Sequence, residues 1–100
     1  YLNLLMFNNL YTSLTEYIPG NLVEFYGILD DRLLKKLIKK NPFLKVLVIR
    51  DSRKITFRSA EEIVSLSYLR VLDIHGTSIP KHYIQICYTF MLYQLVVFET

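Results

Sequence analysis

What the chain lacks narrows its chemistry before any pattern is sought. Its 100 residues hold one cysteine, Cys87, two histidines, His75 and His82, and three glycines standing far apart. One thiol closes no internal disulfide, three scattered glycines build no phosphate-cradling loop, and the histidines and cysteine form no metal-ligand spacing. No N-x-S/T glycosylation acceptor occurs, which together with the missing disulfide predicts an intracellular protein, cytoplasmic or nuclear. No cationic segment precedes an apolar core at the start, so a signal peptide is not indicated. The longest uncharged run, "YIQICYTFMLYQLVVF" over 83–98, has Gln85, Thr89 and Gln94 inside it. A bilayer span takes about 20 apolar residues, more than this run supplies, so no membrane association is expected. Apolar residues nevertheless make up 52% of the chain, and their arrangement is the informative feature.

That arrangement repeats. "FLKVLVIRDSRKIT" at 43–56 returns as "YLRVLDIHGTSIP" at 68–80, with Leu44 and Leu69, Leu47 and Leu72, Ile49 and Ile74, and Ser52 and Thr77 all related by one constant offset. Weaker copies of L-x-x-L-x-L-x-x-(N/C/S/T) occur as "LNLLMFNNL", "LVEFYGILD" and "LYQLVVFET". The starting residues are Leu2, Leu22, Leu44, Leu69 and Leu92, at spacings of 20, 22, 25 and 23. This period is that of leucine-rich repeats. The whole chain, 1–100, therefore reads as about five repeats. It breaks off at the ninth position of the last, with no evident cap at either end, so it is expected to be a fragment of a longer protein.

The segments between the leucine motifs carry helical periodicity. "DDRLLKKLIKKNP" puts Leu33, Leu34, Leu37 and Ile38 on one face and Lys35, Lys36, Lys39 and Lys40 on the other, with Asp30 or Asp31 as cap and Pro42 after the end. "FRSAEEIVSLSYL" offers Ser59 as an N-cap, Glu61 and Glu62 in the first turn, and Ala60, Ile63, Val64 and Leu66 facing inward. "IPKHYIQICYTFM" aligns Tyr83, Ile86, Cys87 and Phe90. The spacing predicts parallel strands near 4–8, 24–28, 46–50, 71–75 and 94–98, and helices near 31–40, 58–66 and 81–90. The fold class is α/β: a leucine-rich-repeat solenoid, or horseshoe, with helices on its convex side. Strands about 4.8 Å apart are slimmer than helices, so the parallel sheet becomes the concave face.

The stretch "NPFLKVLVIRDSRKITFRSAEEIVSLSYLRVLDIHGTSI" resembles the repeats of F-box leucine-rich-repeat proteins. In these a strand ending in a small polar residue leads through "xxIT" into a helix and on to the next "LxxLxL". Where those repeats usually carry a cysteine three residues before the strand leucine, this chain has Asn41, Leu66 and Thr89. "YLRVLDIHGTSIP" is also similar to the repeats of plant nucleotide-binding immune receptors. The first resemblance implies substrate recognition for a ubiquitin ligase, with an adaptor engaged only if an F-box exists outside this segment. The second implies the repeat portion of an immune receptor. A structural or assembly subunit of a larger complex is the further alternative.

Catalysis is not expected. Asp73 and His75 stand two apart on a strand and so share a face, yet no nucleophile joins them in the template, and a triad needs three positioned groups. Cys87 reads as a small buried hydrophobe. The cluster Arg32, Lys35, Lys36, Lys39 and Lys40 has no interleaved aromatics for stacking on bases, so it reads as a solvated helix face, and nucleic acid is the disfavoured ligand. No cofactor is expected. Function is expected on the concave face, where alternation places Tyr26, Val46, Val48, Arg50, Val71, Asp73, His75, Val96 and Phe98. Their apolar stripe with a polar border suits a protein partner.

Overall fold

Short strands with a buried central residue define the architecture. The computed structural model describes residues 4–6, 18–80 and 96–98, with side chains over 18–80. Strands β1 (Leu4–Met6), β2 (Glu24–Tyr26), β3 (Val46–Val48), β4 (Val71–Asp73) and β5 (Val96–Phe98) form one parallel sheet in chain order. Leu5, Phe25, Leu47, Leu72 and Val97 occupy one row across it. The fourth position of the first four sequence motifs is thus the register position; in the last motif, begun at Leu92, the sixth position, Val97, takes that place, so the sheet register starts this repeat two residues later than expected. Strand side chains alternate between faces; Phe25, Leu47 and Leu72 are buried, while Glu24, Tyr26, Val46, Val48 and Val71 are half-buried on the opposite, open face.

β2, β3 and β4 are shorter at their C-terminal ends than the motifs predict. Ile28, Arg50 and His75 lie past the ends of β2, β3 and β4. Asp51 at φ 64° and Gly76 at φ 82° turn the chain out of the extended region. Aspartate tolerates this left-handed conformation better than most residues, and glycine adopts it freely. Glycine is also required sterically, since a Cβ on Gly76 would lie 2.5 Å from Asp51 Oδ1 and 3.0 Å from its Cα and N. Backbone pairing still runs past the strand ends, with Ile49 N donating to Asp73 O at 2.9 Å and Asp51 N to His75 O at 2.7 Å.

Helix α1, Asp31–Lys40, follows directly from its sequence. The extended Asp30 accepts from Leu33 N at 2.8 Å as N-cap, and Leu33, Leu34, Leu37 and Ile38 are buried. Lys39 and Lys40 in the last turn complement the negative helix end. The next connection differs from the continuous helix expected over 58–66. A 3₁₀-helix over Phe57–Ser59 leads into a short α2, Ala60–Val64. Thr56, not Ser59, is the side-chain cap, its Oγ1 accepting from Arg58 N at 3.3 Å. Ser59 is diverted because its hydroxyl donates to Asp31 Oδ1, beside bonds to that carboxylate from Thr56 N at 2.9 Å and Thr56 Oγ1 at 2.7 Å. A backbone fastened to α1 at Thr56 tightens into the narrower 3₁₀ turn before an α-helix can begin. The helix expected over 81–90 lies outside the described residues.

Leu33, Leu34, Leu37 and Ile38 of α1 and Ala60 and Ile63 of α2 join one cluster with Leu44, Leu47, Ile49, Leu66, Leu69, Leu72 and Ile74, and Ile55 fills the turn between; Val64, expected to face inward, is only half-buried. Each fully buried leucine or isoleucine contributes roughly 1.5–3 kcal/mol. The helices and the inward sheet face account for the apolar periodicity, and Glu24, Tyr26, Val46, Val48 and Val71 remain half-buried on the other sheet face.

Candidate binding surface on the open sheet face

The open face is built around valines. Val46 stands opposite Val71 in the β3–β4 register, and Val48 opposite Asp73. On one side Glu24 and Tyr26 share β2, and the Tyr26 hydroxyl donates to Glu24 Oε1 at 2.9 Å. That hydrogen bond to a carboxylate, with a little burial and the same negative charge, raises the phenol above its ordinary pKa. On the other side Arg50 Nη1 pairs with Asp73 Oδ2 at 2.9 Å; the arginine side chain is 51% exposed and the aspartate side chain 11%. Arg50 is therefore held by Asp73 while about half of its side chain remains open to solvent. A planar fork with several donors keeps capacity for a second acceptor after one is engaged.

The residues read from the sequence as a surface divide accordingly. Tyr26, Val46, Val48 and Val71 come together half-buried on the open face. Asp73 is buried, because Arg50 covers it and His75 N donates to its Oδ1 at 3.1 Å. The predicted strand pairing of Asp73 and His75 needs correction: β4 ends at Asp73, and His75, half-buried, sits in the following turn. Their contact runs through the His75 backbone N–H, so Asp73 acts as a turn acceptor and ion-pair partner rather than orienting an imidazole. Val96 and Phe98 occupy β5 positions in register with Val71 and Asp73; their side chains lie outside the described residues.

Other features flank this face. A hollow of about 270 Å³ at the C-terminal edge of the sheet is lined by Ile28, Leu29, Asp30, Asp51, Arg53 and Lys54, a mixture of charges with no single preference. Among the described residues no group of three or more His, Cys, Asp and Glu side chains could hold a metal ion, and no helix is long and apolar enough to cross a membrane. Sequence reasoning missed the aromatic pair Phe43 and Tyr68, in edge contact with centroids 5.1 Å apart. They are related by the same offset as Leu44 and Leu69, so the signal was present one position ahead of each motif. It also missed Asn41, whose side chain hydrogen-bonds three backbone groups. Comparison of the chain with protein-family models, curated proteins and solved structures finds no match.

Proposed function

We propose that the chain is a noncatalytic protein-binding module: a leucine-rich-repeat segment whose open sheet face is the concave recognition surface. The observation that carries this is the half-exposed Val46–Val71 pair with Val48, bordered by the Tyr26–Glu24 and Arg50–Asp73 pairs. An apolar centre with a polar rim is the usual anatomy of a protein interface. Side-by-side strands in chain order and the recurrent spacing of the leucine motifs support the repeat reading. The resemblance of residues 41–79 to F-box-type repeats supports a role in presenting substrates to a ubiquitin ligase. An assembly subunit and an immune-receptor repeat are the competing roles. Translating the gene upstream separates them, through an F-box helix set, a nucleotide-binding domain, or neither.

The test of the surface itself is a photo-crosslinker at Val48, recovery of the linked partner, and titration of that partner against variants. Arg50→Ala should weaken binding by roughly 1–3 kcal/mol, as truncation of an arginine anchor does. Asp73→Asn keeps the volume and one acceptor oxygen for His75 N but loses the oxygen paired with Arg50, which separates loss of the ion pair from disturbance of the turn. Reversing Lys35 and Lys36 to glutamate on the outer face of α1 should leave affinity unchanged. Loss of binding on that reversal, with Arg50→Ala silent, rejects the open face as the recognition surface.

A further inference from the structure

The two edges of the sheet differ in charge. The stretches that lead into β2, β3 and β4, residues 18–23, 39–45 and 65–70, carry Lys39, Lys40, Lys45 and Arg70 and no aspartate or glutamate. The opposite edge mixes Asp30, Asp31 and Asp51 with Arg50, Arg53 and Lys54. On the cationic edge, two aromatic rings stand in solvent: Phe43 is 61% and Tyr68 46% exposed. Their exposure is imposed by the backbone. Asn41 O accepts from Leu44 N and Leu66 O from Leu69 N, both at 3.3 Å, closing matching corners. Leu44 and Leu69 are wholly buried, and the residue before each is turned outward.

We propose that this N-terminal edge is a second docking surface, independent of the open face, for an acidic segment of a partner protein that presents one bulky apolar side chain. Beside Phe43 lies an open hollow of about 450 Å³ lined by Asn21, Leu22, Val23, Lys40, Asn41, Pro42 and Phe43, mostly apolar in surface with a cation among its lining residues. Arg70 Nη1 donates to Tyr68 O at 3.2 Å and Leu69 O at 3.3 Å, which holds its guanidinium against the backbone of the corner that carries Tyr68. Lys45 is exposed two residues beyond Phe43. Among the described residues the arrangement sets an aromatic pair beside Lys40, Lys45 and Arg70, complementary to glutamates or aspartates flanking a leucine or phenylalanine. A single-stranded nucleic acid fits less well. Sequential bases need ring faces they can stack on in turn, and Phe43 and Tyr68 meet at 79°.

Fluorescence anisotropy on the full chain tests this with three probes: a fluorescein-labelled peptide of glutamates around one leucine, the same peptide with lysines for glutamates, and labelled oligouridylate. The acidic peptide should bind saturably and weaken as salt is raised. Both Phe43→Ser with Tyr68→Ser, and Lys40→Glu with Lys45→Glu and Arg70→Glu, should reduce its affinity by about tenfold or more, the loss typical of removing an anchor. Arg50→Ala, on the open face, should not change it. The urea midpoint checks that the variants remain folded, and Lys45→Glu alone, at an exposed position, gives the charge result should the triple variant unfold. Absence of saturable binding by the acidic peptide overturns the proposal. So do equal binding of the lysine peptide, unchanged affinity in the edge variants, and preference for oligouridylate.

Discussion

The boundary between β2 and β3 and the boundary between β3 and β4 solve one problem in two ways. Before Leu44 and Leu69 the chain turns a corner in which the leucine N–H donates to the carbonyl three residues earlier, Asn41 O and Leu66 O. Before Leu22 the same carbonyl belongs to Pro19, and the Asn41 carboxamide lies between the two groups. Asn41 Oδ1 accepts from Leu22 N at 2.8 Å, and its Nδ2 donates to Pro19 O and Leu37 O, each at 2.9 Å. The side chain splints a corner that does not close on itself. At the other end of the strands the contrast recurs. Asp51 N reaches His75 O directly at 2.7 Å, whereas Leu29 N is met by the Ser52 hydroxyl at 3.0 Å. At these two places the first boundary uses side chains where the second uses backbone, although backbone bonds also join both strand pairs and their parallel register is the same. Buried backbone groups must find partners, but the register is indifferent to whether a side chain or a peptide supplies them.

Exchanging residues between the equivalent corner positions 41 and 66 breaks the comparison most severely. Leu66 is buried within the apolar cluster, so Leu66→Asn loses the packing of a core leucine, about 2–5 kcal/mol. It also buries an amide among apolar neighbours, at roughly 1–3 kcal/mol on protein scales. The expected total is at least about 3 kcal/mol, read from the urea midpoint. The reverse change, Asn41→Leu, strips Leu22 N and Pro19 O of their partner. Lost partners cost about 1–3 kcal/mol per group, and partial burial of the new leucine offsets some of this, for a net loss of about 1–3 kcal/mol. An Asn41→Leu variant as stable as the wild type would show that corner 19–22 closes without the splint.

The strand exits give a smaller contrast. Ser52→Ala leaves Leu29 N without its acceptor in a buried setting, an expected loss of about 1–3 kcal/mol. Thr77, at the matching position, uses its Oγ1 locally to donate to Ile74 O at 2.9 Å. Since the boundary there is already joined by backbone, Thr77→Ala should cost under about 1 kcal/mol. Hydrogen exchange sharpens the point: Ser52→Ala should speed exchange at Leu29 N–H selectively, while Thr77→Ala should leave Asp51 N–H protected. Equal losses for the two variants would contradict the distinction.

How legible this was depends on the distance over which each residue acts. Leu47, Leu72 and Ile74 announced themselves, because burial on a parallel sheet imposes a period the eye can find. Helix α1 was equally plain, since its cap, its apolar face and its stop all lie within the one short stretch from Asp30 to Pro42. The strand ends were hidden by Asp51, whose left-handed conformation no residue type demands. Ser59 looked like a cap by its place in the sequence, but its partner Asp31 is 28 residues away and outcompetes the local amide. Asn41 follows the last turn of α1 with no local pattern to mark it, and its role depends on Leu22, 19 residues earlier. On the binding surface, alternation was enough to place Tyr26, Val46, Val48 and Val71 together. It could not anticipate that Arg50 would cover Asp73 from beyond the strand end. Periodic burial is visible in one dimension; side-chain bonds between neighbouring units become visible only when the units are side by side.

The smallest expected effect separates the two kinds of stitch by charge, because an amide does not titrate and a carboxylate does. Burial alone would raise the Asp31 carboxyl. Hydrogen bonds from Ser59 and from the Thr56 backbone and hydroxyl, with the nearby Arg58 charge, outweigh it and hold the group below its ordinary range. A carboxylate depressed in the folded state binds protons more weakly there than in the unfolded chain. The stabilisation is therefore present above the unfolded value of about 3.9 and is lost as pH falls through the folded one. The urea midpoint of the wild type should decline between about pH 5 and pH 2 with a component that Asp31→Asn removes. Asn41→Leu, lower in stability at every pH, should keep the wild-type slope. If Asp31→Asn retains that slope as well, the carboxylate joining α1 to Thr56 and Ser59 is not what acid releases, and its charge adds nothing to the seam between α1 and the 3₁₀ turn.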